Sequence, residues 1–165
     1  IGGPGRLAVA GDSAGGNLAT VAVARLAGRA QVALQCLFYP VTDSDFTRPS
    51  YRAHSQGMPL TDADMDWFFR HYAPPSLWQH PDIAPVRRDD LAGHPPAWIA
   101  VAEHDVLHDE AVAYAERLRA AGVPVTVERA MGLPHGFARM LNLIPEADAV
   151  VTRAAAEIRR RCAAA

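Results

Sequence analysis

Gly11-Asp12-Ser13-Ala14-Gly15 sets a serine in a G-x-S-x-G pattern, with an apolar run before it and small and aliphatic residues after it. A serine hydroxyl is a poor nucleophile unless a base takes its proton and its oxygen stands clear of the backbone. A sharp strand-to-helix turn meets the second need, and glycines at Gly11 and Gly15 let the two backbones approach. The N–H of Ala14 would then open the helix and point to where a carbonyl oxygen becomes negative, an oxyanion donor. The competing reading is a glycine-rich phosphate loop. G-D-S-A-G-G lacks the lysine of a P-loop and does not match G-x-G-x-x-G, so the nucleophile is preferred.

Such a serine needs an imidazole, and the imidazole needs an orienting carboxylate. Where such a turn is the nucleophile elbow of an α/β hydrolase, the chain order is Ser, acid, His. Of the seven histidines, His54, His71, His80 and His94 lie upstream of the acid candidates and read as solvated or pocket-lining. His135 sits in M-G-L-P-H-G-F, after the last strand-like run and at the strand end where ligands meet open sheets. It is the expected base. Four acids cluster at Glu103, Asp105, Asp109 and Glu110. Asp105 stands just past the preceding strand-like run, at the same sheet edge, and is the expected acid. Asp109 is better used as a helix cap, and Glu110 falls in that helix's first turn. His104 and His108, four apart with carboxylates between them, offer a rival metal site. No third ligand is evident, so no metal is expected.

These side chains need elements to carry them. Residues 6–10 (RLAVA), 31–39 (QVALQCLFY), 98–102 (WIAVA) and 123–129 (VPVTVER) read as strands, the second stopped by Pro40. Helices are expected at 17–29, at 110–121 with Gly122 as its stop, and at 146–161. Alternating strands and helices mean βαβ units and a parallel sheet, and runs apolar on both faces mean a sheet covered by helices. Residues 42–96 are the exception, rich in proline. One helix is clear there, where Thr61 begins a T-D-A-D capping box ahead of Met65, Trp67, Phe68 and Tyr72.

The 165 residues suffice for one domain with a real core, and a net charge of -2 leaves no footprint for nucleic acid. All sixteen basic residues are arginine. Cys36 reads as a small core residue, and Cys36 and Cys162 do not make a disulfide framework. No apolar run approaches a membrane-crossing length and no secretory pattern is present, so a cytoplasmic protein is expected. The chain opens on Ile1 and runs almost at once into a strand, as if cut from something longer.

GDSAGGNLA, LFYPVTD, EHDVLHDEAVAYAERLRAAGVPV and LPHGF, in that order over nearly the whole chain, resemble the hormone-sensitive-lipase-like family of α/β-hydrolase esterases. The resemblance implies an α/β-hydrolase fold: the C-terminal half of a mostly parallel sheet flanked by helices, with the N-terminal strands and cap absent from this chain. It implies Ser13, Asp105 and His135 as a triad that hydrolyses short- to medium-chain carboxylic esters through an acyl-enzyme. No cofactor is implied, and the partner is a small-molecule ester. Residues 1–165 then form a partial catalytic domain in which 42–96 is a pocket-lining insertion. Trp67, Phe68 and Tyr72 are candidates for the pocket wall, or for ordinary core. Two departures stand out. Where the family usually reads D-P-L-R-D-E, this chain reads Asp105-Val106-Leu107-His108-Asp109-Glu110, which loosens the acid loop. The family's H-G-G-G motif, its main source of oxyanion donors, is missing, which leaves Ala14 alone in that role.

The same triad serves serine peptidases and thioesterases, and motifs do not separate acyl leaving groups. A ligand-binding relative without catalysis is the other alternative, since fold does not fix function. Plant gibberellin receptors resemble the family but lack the catalytic histidine, so an intact set argues against it. Oligomeric state is left open.

Overall fold

The computed structural model describes residues 6–163; Ile1 lies outside them. Four strands, β1 (Leu7–Asp12), β2 (Val32–Phe38), β3 (Ala97–His104) and β4 (Val125–Pro134), form one parallel sheet in the order β1-β2-β3-β4. Each strand falls where the apolar runs put it, with ends shifted by a few residues; β4 runs on through Pro134.

Sequential order along a parallel sheet requires crossovers of one hand, and right-handed crossovers all land on one face. Helices α1 (Ala14–Leu26) and α4 (His108–Ala120) accordingly pack on the same side. There Ala19, Ala111, Tyr114, Ala115 and Leu118 meet Leu37, Ile99 and Val101. The closing helix α5 (Pro145–Cys162) covers the other face, setting Ala147, Val150 and Ala154 against Cys36, Trp98, Ala100 and Ala102. β3 shows the alternation plainly: Ala97, Ile99 and Val101 face one layer, Trp98, Ala100 and Ala102 the other. As expected, Cys36 lies in the core, and both cysteines are free thiols.

β1 differs from its expectation. It reads as a buried central strand, yet its residues are half-buried or exposed, with Leu7 47% exposed. Among the described residues β1 pairs only with β2, so its outer edge carries no ladder.

α1 begins three residues earlier than expected, directly after Ser13. Gly122 stops α4 as expected. It has φ 81° and donates to Arg119 O, while Val123 N–H donates to Leu118 O, the paired bonds of a Schellman end. The capping box at Thr61 forms and starts α3 (Asp62–Tyr72). A second helix in this segment, α2 (Pro49–His54), is too short to leave a periodic signal in the sequence. α2, α3 and the loops around them close a third apolar cluster of Val41, Tyr51, Leu60, Met65, Phe69, Val106 and Leu107. No helix among the described residues is long and apolar enough to cross a membrane.

Candidate active site

β1 ends at Asp12 and α1 starts at Ala14, so Ser13 alone makes the turn. Its backbone sits at φ 54°, ψ −120°, a strained value for a residue with a side chain. Three bonds enforce it. Ser13 N–H donates to Phe38 O at 2.9 Å, and Ser13 O accepts from Asn17 N–H and Val41 N–H, both at 3.2 Å. Gly11 is required, since a Cβ there would lie 2.1 Å from Gly15 O. Gly15 is not required on packing grounds, because its Cβ would meet only Asp12 Oδ1 at 3.7 Å. The second obligatory glycine is Gly16, where a Cβ would strike Pro40 at 2.7 Å. The tight approach thus joins α1 to the turn after β2 as well as to β1.

His135 follows β4, and β4 needs an irregularity to deliver it. Ala102 pairs with Ala130 and His104 with Pro134, so the step that takes two residues on β3 takes four on β4. Gly132 supplies φ 72° inside that bulge, and Glu103 fixes it by accepting from Gly132 N–H at 2.6 Å. Gly136, at φ 81°, turns the chain again after the histidine. Asp105 stands in the β3–α4 loop, 1% exposed, with Oδ1 accepting from Leu107 N–H at 2.9 Å. Its Oδ2 lies 2.7 Å from His135 Nδ1, and His135 Nε2 lies 2.9 Å from Ser13 Oγ. A carboxylate only accepts, which puts the imidazole proton on Nδ1 and leaves Nε2 to receive the serine's. The three side chains come from three strand ends and form one continuous relay.

The remaining acids separate by position. Asp109 does not cap its own helix. α4 starts at His108 after Leu107, whose apolar side chain offers no cap, and Asp105 accepts from the Leu107 N–H. Asp109 instead accepts from Ser50 N–H at 2.8 Å in the first turn of α2, and Ser50 Oγ donates to Val106 O at 2.6 Å. Glu110 is fully buried. Its carboxyl group accepts from Thr42 N–H (2.7 Å), Asp43 N–H (3.1 Å) and Tyr51 O–H (3.1 Å). Burial pushes its pKa up to about 8 against the pull of those three donors, with the neighbouring Asp43 adding to the rise. Glu110 therefore ties the turn after β2 to the base of the acid loop, a role with no local sign in the sequence. His104 and His108 lie on different elements, β3 and α4, and His108 Nδ1 is 2.8 Å from Ala102 O, so the pair has no common helix face.

A cavity of about 410 Å³ opens beside Ser13 and Ala14, lined by Leu18, Val41, Leu60, Met65 and Phe69 among others. Of the wall candidates, Phe68 and Tyr72 line it and are half exposed; neither is core. Trp67 does not reach it. The indole lies against the His71 ring, centroids 4.1 Å apart, 56% exposed. One helical step of about 100° separates Trp67 from Phe68, enough to carry one indoors and leave the other out. Asn17, a polar residue near the start of α1, was not singled out from the sequence. Its amide donates to Val41 O (3.0 Å) and Ile83 O (2.9 Å), anchoring the wall to the helix that follows Ser13.

Known proteins resemble this chain throughout. An ethyl acetate hydrolase of Pseudomonas putida is 41% identical over 87% of this chain and 46% of its own length. Carboxylesterase NlhH of Mycobacterium tuberculosis is 38% identical over 96% of this chain and 52% of its own. Among solved structures, a thermostable esterase from Pseudomonas putida ECU1011 superposes with a TM-score of 0.93 at 37% identity, covering 97% of this chain and 52% of that one. The chain spans about half the length of the curated relatives it matches. A family model described as alpha/beta hydrolase fold matches residues 2–139. The chain belongs to that alpha/beta hydrolase family, in the hormone-sensitive-lipase-like branch to which its motifs point.

Proposed function

We propose that this chain carries the catalytic residues of a serine carboxylesterase acting on short- to medium-chain acyl esters, with Ser13 as nucleophile, His135 as base and Asp105 as orienting acid. The observation that carries this reading is the unbroken relay from Asp105 Oδ2 through His135 to Ser13 Oγ, at 2.7 and 2.9 Å. Residues 1–165 are then a partial catalytic domain, and 42–96 its pocket-lining insertion.

The ester carbonyl lies over Ser13 Oγ. His135 Nε2 takes the serine proton as the C–O bond forms, and Asp105 stabilises the resulting imidazolium. The tetrahedral oxyanion faces the start of α1. There the Ala14 N–H is among the first-turn amides that no helical carbonyl satisfies, and the helix dipole adds to its field. His135 returns the proton to the departing alcohol, leaving an acyl group on Ser13. Water then repeats the sequence and releases the acid. These steps balance with three side chains and water, so no cofactor enters. The acyl chain lies in the apolar cavity, whose 410 Å³ is toward the small end for ligand pockets. Esters as the substrate class are supported by the names of the relatives, an ethyl acetate hydrolase and a carboxylesterase.

The test is covalent. The full-length protein, given p-nitrophenyl butyrate, should release a burst of p-nitrophenol and carry a butyryl group on the Ser13 peptide, found by mass. A protein that shows neither, or acylation elsewhere, refutes the reading.

A further inference from the structure

A strained aromatic follows β2 directly and has no part in the relay described above. Tyr39 has φ 35°, a left-handed value that a bulky residue adopts only where its surroundings impose it. The strain is held from both sides: Tyr39 N–H donates to Ala100 O at 2.7 Å, and Pro40 is wedged against Gly16. The kink delivers the side chain to His135. The two rings lie with centroids 4.6 Å apart and planes tilted by 55°, and Phe137 meets the tyrosine edge-on at 5.0 Å. The tyrosine is 1% exposed. Its oxygen is buried with no hydrogen-bond partner among the described residues; the Ala138 N–H faces it from outside hydrogen-bond geometry. The contact that ties Tyr39 to the site is the one between its ring and the His135 imidazole.

We propose that Tyr39 is a positioning residue whose ring seats His135 and favours the imidazolium formed when His135 takes the Ser13 proton. This rests on the triad reading above. A cation within about 6 Å of an aromatic face is attracted by the ring's quadrupole, more strongly where water is excluded. His135 is 6% exposed, so its charge would form in such a site. Asp105 and Ser13 bond the imidazole directly, while Asp12 at the end of β1 and Arg139 after Gly136 are the other charges acting on Tyr39. Burial first, then Asp12, pushes the phenol up to about 12, so the ring stays neutral. A ring in this place supports the cation without adding a second anion beside Asp105.

The experiment replaces Tyr39 by Phe, by phenylalanines of increasing ring fluorination, and by Leu. His135 is titrated by NMR, and kcat and KM are measured on p-nitrophenyl butyrate in the full-length protein. Tyr39→Leu should lower the imidazole pKa by about half a unit to one unit and kcat about three- to tenfold, with KM unchanged. Tyr39→Phe should rescue both, and each added fluorine should lower both again. A flat response across the fluorine series overturns the proposal. So does a Tyr39→Phe loss as large as that of Leu, which would assign the role to the hydroxyl. Should Tyr39→Leu not fold, the fluorinated series keeps the ring's shape and decides alone. The titration needs no turnover. A fluorine-dependent His135 pKa in a protein that hydrolyses no ester would therefore sink the esterase reading and uphold the ring contact.

Discussion

The sheet edge that carries the relay and the segment that walls the cavity are built in different ways. Ser13, Asp105 and His135 each sit one residue past a strand's end, on backbone that the ladder and its bulge hold in place. The wall, residues 42–96, has only short helices. It hangs from buried polar groups: Asn17 holds Val41 and Ile83, Glu110 holds Thr42 and Asp43, and Asp43 pairs with Arg48 and Arg87. Its cavity face is half-exposed aromatic surface at Phe68 and Tyr72. The three side chains of the proposed triad are thus fixed by main-chain geometry, and the wall by a few side-chain anchors. Substitutions at the edge should therefore act on turnover, those at the anchors on stability, and those on the wall face on selectivity.

The sharpest break is Asp105→Asn against Asp109→Asn in the full-length protein. The first should cut kcat on the order of 10³- to 10⁴-fold with folding intact, because the amide favours the wrong imidazole tautomer. Asp109→Asn still accepts from Ser50 N–H and should stay within about threefold. Equal losses would show that the acid loop acts as a unit and erase the distinction between edge and anchor.

Residues 1–165 expressed on their own test the edge differently. β1 presents an unpaired outer ladder among the described residues, with Leu7 exposed, and such an edge templates association. Sedimentation should show oligomers. A soluble monomer would show that this edge does not template association.

The anchors are read by pH. The folded-state pKa of Glu110, about 8, lies above the ordinary carboxyl value of 4.5, so the folded state holds its proton more tightly than the unfolded one. The stability this contributes is present below pH 4.5 and lost as pH rises toward 8. Thermal melts should show Tm falling across that window. Glu110→Gln should flatten the fall, since its amide oxygen accepts both backbone N–H groups and its NH₂ can face Tyr51. Glu110→Ala leaves buried donors unpaired and should cost about 2–4 kcal/mol. A wild-type Tm that rises from pH 5 to 8 would contradict the buried, protonated carboxyl.

The smallest effects belong to the wall face. Phe68→Ala should change the ratio of kcat/KM between butyrate and octanoate esters by about three- to tenfold, with less effect on the better substrate's kcat. Trp67→Ala, one position away but outside the cavity, should shift that ratio by less than about twofold. A larger effect at Trp67 than at Phe68 would mean that the wall rearranges when substrate binds.

Local sequence determined the elements: four apolar runs became four parallel strands, Thr61 and Asp64 formed their box, and Gly122 stopped its helix. It also singled out Ser13, Asp105 and His135. Ser13 and Asp105 follow their apolar runs by three residues and His135 by six, and parallel strands bring all such ends to one edge. Trp67 and Asp109 were misplaced because a side chain's target depends on what packs across from it. Trp67 and Phe68 differ only in helical phase, and Asp109 found Ser50 on a helix the pattern did not reveal. Gly16, Tyr39 and Glu110 were decided by tertiary structure alone. Gly16 is a glycine because Pro40 presses on it, Tyr39 is kinked because Ala100 and Pro40 hold it, and Glu110 is buried because the turn after β2 delivers two amide protons to it. The contacts of Gly16 with Pro40, of Tyr39 with Ala100 and of Glu110 with Thr42 and Asp43 each join residues more than twenty positions apart, where periodicity and capping rules carry no information.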